Sequence, residues 1–91
     1  RLASATGATV SGAADAFLSY GQPAKAEDLY KIALTKPGID NARVLTRLGI
    51  AQYDQGKYAE ARETFAKVEG ARRHMAQLWA LAAEQKSSSA S

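Results

Sequence analysis

The 91-residue chain contains no cysteine, which removes disulfide frameworks, thiolate zinc sites and cysteine nucleophiles together. It has one histidine, His74, with no carboxylate cluster near it in the sequence. A metal site is thereby excluded, and a surface or half-buried structural role is expected for this side chain. No apolar run approaches the roughly eighteen residues of a membrane-spanning helix, so membrane insertion is not expected. Nor does a charged-then-apolar leader open the sequence. The net charge of +3 is a small excess, spread over Lys25, Lys31, Lys36, Arg72 and Arg73 and interleaved with Glu27, Asp28, Glu60 and Glu63. A basic stripe interleaved with aromatics is missing, which argues against a nucleic-acid surface. The seven glycines are isolated rather than grouped in a phosphate-cradling loop, and no nucleophile elbow or zinc-binding phrase occurs. No catalytic residue, cofactor or metal is therefore expected. Asp28, Glu60 and Glu63 are read as a solvated face.

What the chain does have is a phrase written twice. Gly21, Ala26 and Tyr30 recur thirty-five residues later as Gly56, Ala61 and Phe65. Around each copy, apolar residues follow helical spacing, and no segment alternates with period two, so the fold class is all-α. Val10, Ala13, Ala14, Phe17 and Leu18 outline a first helix from Thr9, stopped at Gly21. Pro23 suits the first turn of a second helix carrying Ala26, Leu29, Tyr30, Ala33 and Leu34, which ends at Pro37-Gly38. Asp40 is a good N-cap for a third, with Val44, Leu45, Leu48, Ala51 and Tyr53, broken at Gly56. Tyr58, Ala61, Phe65 and Val68 mark a fourth, ended by Gly70, and Met75, Leu78, Trp79 and Ala82 mark the buried side of a fifth. The expected organisation is a partly disordered lead-in over 1–8, hairpins over 9–37 and 40–69, a capping helix over 71–86 and a disordered serine-rich tail over 87–91.

The third and fourth helices resemble the tetratricopeptide repeat. Leu45-x2-Leu48-Gly49 fits the family's W-x2-L-G opening with leucine in place of tryptophan. Gly56 is the turn glycine, Ala61 and Phe65 are the packing alanine and aromatic, and Tyr58 is the aromatic early in the second helix. The first two helices form a weaker copy through Gly21, Ala26 and Tyr30. Trp79, Ala82 and Ala83 fall where a third copy would open. The resemblance implies antiparallel hairpins stacked as a short right-handed superhelix of two and a half repeats with a C-terminal cap. In such a stack, a side chain larger than methyl at Gly49 or Ala61 would drive the helices apart, and Trp79 would bury against Phe65 or Val68.

The family binds extended peptides or partner helices along the first helices of its hairpins. Carried onto this chain, that face comprises Arg43, Thr46, Arg47, Ile50, Tyr53 and Asp54, with Ser11, Asp15 and Leu18 before it and Gln77, Ala80 and Glu84 after it. Arg43 and Arg47 lie one turn apart, placed to hold a carboxylate together. The expected function is a non-catalytic scaffold for a protein or peptide partner. The alternatives are a self-association module burying the Ala-rich first helix or the Trp79 helix in a homodimer, and, further behind, weak nucleic-acid binding. The chain begins at Arg1, and it is expected to be the C-terminal part of a bacterial protein of this family, in the periplasm or cell envelope.

Overall fold

The computed structural model describes residues 6–68 and 73–90. Among the described residues five helices follow one another: α1 Gly7–Ser19, α2 Pro23–Ala33, α3 Asn41–Asp54, α4 Tyr58–Ala66 and α5 Arg73–Ala90. No strand occurs among the described residues, as the periodicity requires. No described helix is long and apolar enough to cross a membrane. Local chemistry sets the starts. The Thr6 hydroxyl accepts from the Thr9 N–H at 3.1 Å, Pro23 occupies the first turn of α2, and the Asp40 carboxylate accepts from the Arg43 N–H at 3.1 Å.

The repeated glycines close both hairpins in the same way. Gly21 and Gly56 have φ of +77° and +81°, the left-handed region that a side chain disfavours. Their N–H groups bond to Leu18 O and Tyr53 O, and those of the following Gln22 and Lys57 reach back to Phe17 O and Gln52 O at 2.9 Å. Both turns are therefore Schellman caps. Each helix packs on its neighbours in sequence, while α1 and α3, and α3 and α5, touch only lightly. Such pairing is the geometry of stacked helical hairpins.

Two cores result. Val10, Ala14, Ala26, Tyr30, Ala33, Val44, Leu48 and Ala51 form the first, and Ala61, Phe65, Val68, Ala76 and Ala83 form the second. Helix α3 serves both, lending Ala42, Leu45, Ile50 and Tyr53 to the second. At its crossing with α4, a Cβ added to Gly49 would stand 2.3 Å from the Phe65 ring, so even a methyl is excluded there. Phe65 in turn stacks on Trp79 of α5 with ring centroids 6.0 Å apart.

The structure departs from the sequence expectations in four places. Helix α1 starts at Gly7, two residues before the expected hairpin, because Thr6 caps it, and Gly7 packs on Ile39 where a Cβ would not fit. Ala13, expected on the buried side, is exposed. Helix α5 buries Ala76 and Ala83, while Met75 and Leu78 are 55% and 58% exposed. It also runs on through the serines expected to be disordered, since neither glycine nor proline interrupts it before Ala90. Expectations for residues 1–5, Gly70, Arg72, Ser91 and the His74 side chain fall outside the described residues.

Two glycine replacements should act in opposite directions. Phe65 is buried between Gly49 and Trp79 and has nowhere to swing, so Gly49→Ala should destabilise by about 1–3 kcal/mol. Gly12, in the middle of α1, faces open space, and Gly12→Ala should stabilise by about 0.5–1 kcal/mol through helix propensity. Urea denaturation followed by circular dichroism measures both; a tolerated Gly49→Ala contradicts the crossing.

Candidate functional site

Two carboxylates anchor the polar contacts among the first four helices. The first belongs to Asp15, midway along α1. It accepts a short hydrogen bond from the Tyr30 hydroxyl of α2 and a 2.6 Å ion pair from Arg43 Nη2 of α3, with Arg47 Nη1 3.7 Å away. One side chain thus ties three consecutive helices. Burial alone would raise the Asp15 carboxyl, but the Arg43 and Tyr30 bonds outweigh it and hold it below its ordinary value. Burial and the adjacent carboxylate raise the Tyr30 hydroxyl, and the Asp15 bond raises the Arg43 guanidinium.

The second is Glu27 of α2, which is buried. It accepts from Gln52 Nε2 at 3.1 Å, Gln55 Nε2 at 2.7 Å, Lys57 Nζ at 3.0 Å and Lys31 Nζ at 3.1 Å. Gln52 passes the chain onward, its Oε1 accepting from the Thr64 hydroxyl of α4 at 2.6 Å. Burial pushes the Glu27 carboxyl upward; the bonds from Gln55, Gln52, Lys57 and Lys31 prevail and bring it down to about 2. The sequence reading missed this network. Its local signal was Lys31 one turn after Glu27, but the other partners lie 25 or more residues away in the chain.

The expected arginine pair does hold a carboxylate, and it is the chain's own. Arg43 is committed to Asp15, whereas Arg47 is 42% exposed at its side chain and bonds only loosely, leaving donors of its planar fork to solvent. Thr46 and Ser11, expected to line the groove, are buried and turn their hydroxyls to Ala42 O and Ala8 O. Leu18 packs against the first core. Ile50 and Tyr53 are half-buried against the second core, and the Tyr53 ring meets Tyr58 and Trp79 edge-on, both with centroids 5.2 Å apart. Asp54 is exposed.

Helix α5 is set differently from the expectation. Gln77, Ala80 and Glu84 face a groove with α4 and do not join the α3 residues. Beside Tyr53 stand Ala82, Gln85 and Lys86, lining a cleft of about 260 Å³. The row Ala76, Ala80 and Ala83 repeats the spacing of Val44, Leu48 and Ala51, a signal that would have set this register correctly. The face shared by the first helices therefore runs from Asp15 through Arg43, Arg47, Ile50 and Tyr53 to Ala82 and Gln85. It offers a cation and a half-exposed aromatic cleft. No group of three or more potential metal ligands is assembled among the described residues.

A family model described as tetratricopeptide repeat matches residues 17–84, which include both glycine phrases and most of α5. Comparison with curated proteins and with solved structures gives no match.

The Glu27 network makes stability depend on acid. With a folded value of about 2 against an ordinary 4.5, the contribution is complete above pH 4.5 and is lost as pH falls towards 2. It amounts to about 3 kcal/mol, and Asp15, also held low, acts in the same direction. Urea midpoints measured between pH 6 and pH 2 should fall accordingly. Glu27→Gln should lower stability at pH 7 by about 2 kcal/mol and flatten this slope, and an unchanged slope would remove Glu27 from the account.

Proposed function

The chain belongs to the tetratricopeptide repeat family, and on that premise we propose that it is a non-catalytic scaffold binding a protein partner along the face of α1, α3 and α5. Repeats of this family generally mediate protein–protein interaction and are generally non-catalytic. The observation that carries the reading is the pairing of a half-exposed Arg47 with the cleft beside Tyr53 on one face. An extended peptide or helix fits it with an acidic group on Arg47 and an apolar side chain between Tyr53 and Ala82. Leu78, exposed one turn before Ala82, widens the apolar part. Aromatic and arginine anchors of this kind dominate the energetics of protein interfaces.

Arg43 belongs to the scaffold rather than to the contact, because removing it leaves Asp15 without its strongest partner. The informative change is therefore Arg47→Ala combined with Leu78→Asp, since a carboxylate at 47 would stand against Asp15. With immobilised protein as bait, this variant should keep its helicity and lose about tenfold or more in capture of partners from an extract of the source cells. Undiminished capture would move the interface elsewhere.

A second reading rests on Met75, Leu78 and Leu81, three exposed apolar side chains on one helix. Burial between two copies would make the chain a homodimer. Light scattering at rising concentration tests it, and a strict monomer dismisses it.

A further inference from the structure

The two cores match position by position. Ala26, Tyr30 and Ala33 correspond to Ala61, Phe65 and Val68, thirty-five residues on, and Val44, Leu48 and Ala51 correspond to Ala76, Ala80 and Ala83, thirty-two residues on. In that register Arg62 takes the place of Glu27 and Glu84 takes the place of Gln52. Both pairs are bonded, Gln52 to Glu27 at 3.1 Å and Arg62 to Glu84 at 3.3 Å. What lies above them differs. Helix α4 covers the first pair, with Lys57 on Glu27, Thr64 on Gln52 and the Phe65 ring over Gly49. Over the second pair is a groove of about 510 Å³ lined by Arg62, Phe65, Val68, Gln77, Leu81 and Glu84.

We infer that this groove is a docking site for an amphipathic helix of a partner protein, lying over α5 as α4 lies over α3 and bringing an acidic residue to Arg62. Two differences between the grooves state the chemistry of the occupant. The carboxylate that receives Lys57 is replaced by a guanidinium, so the occupant's first turn must reverse its charge. Leu81 stands where Gly49 stands, so the aromatic that fits over Gly49 must give way to a small residue over Leu81. Leu81, 55% exposed, supplies the apolar surface to be covered. This site is separate from the face carrying Arg47, to which Gln77 and Glu84 do not contribute.

The test uses α4 itself as the template. A fluorescein-labelled peptide of residues 57–68, held helical by a Glu63–Lys67 lactam, carries Phe65→Ala with either Lys57 retained or Lys57→Glu. By anisotropy against the 91-residue protein, the Lys57→Glu peptide should bind saturably and roughly fivefold or more tightly than its counterpart. Arg62→Glu in the protein should reverse that preference, Leu81→Lys should abolish binding of both with the circular dichroism spectrum unchanged, and Arg47→Ala should alter neither. Absence of saturable binding, or a preference indifferent to Arg62→Glu, overturns the proposal. Binding that survives Leu81→Lys also overturns it, since the peptide would then be displacing α4. So does a dimer in sedimentation that Leu81→Lys dissolves, because a second copy would be the occupant.

Discussion

The close approach of α3 and α4, with the Phe65 ring laid on the bare backbone of Gly49, governs what the rest of the molecule can do. Because the helices meet there without an intervening side chain, Thr64 comes within reach of Gln52 and Lys57 within reach of Glu27. The same ring offers its far side to Trp79, and Trp79 brings the Tyr53 ring into edge contact. Helix α5, the α3–α4 hairpin and the cleft beside Tyr53 are thus positioned by one crossing. A wider spacing would loosen all of them, since interiors lose dispersion contacts steeply with distance.

The two carboxylates, Glu27 buried and Asp15 partly so, play a complementary part. Hydrophobic packing among so many alanines is tolerant of rotation, because a methyl leaves similar contacts on adjacent faces. Glu27 and Asp15 are not tolerant. Each draws bonds from at least two other segments of the chain, and a helix slipped by one residue would leave a desolvated charge without partners, a cost of several kcal/mol. The two repeats are unequal for this reason. Tyr30 carries a hydroxyl that Asp15 must receive, whereas Phe65 in the corresponding place carries none and packs on rings instead.

This division explains what could be read from the sequence. The hairpins were legible because Gly21 and Gly56 do a job that few other residues do at positive φ, and because Asp40 and Pro23 mark helix starts by local chemistry. The rotation of α5 was not, although its alanine row was on view. Alanines at 76, 80, 82 and 83 permit more than one buried arc, and the large side chains Met75 and Leu78 attract the wrong one. Gln77 was misplaced by the same error. Glu27 was hidden for another reason: its burial depends on Gln52, Gln55 and Lys57, which only the fold brings together.

Helix α5 inverts the usual arrangement of an amphipathic helix, with alanines inward and its larger aliphatic side chains outward. The inward alanines follow from the crossing at Gly49, since α5 must lie close enough for Trp79 to stack on Phe65. The outward residues have no such explanation within the chain. Leaving a leucine half exposed forfeits about 1 kcal/mol or more relative to full burial, and α5 does so at Leu78 and again at Leu81, three residues on. Leu81 adjoins Arg62 and Glu84. There an exposed apolar side chain stands beside a bonded pair of charged groups, an apolar patch with a polar rim rather than an isolated exposed leucine.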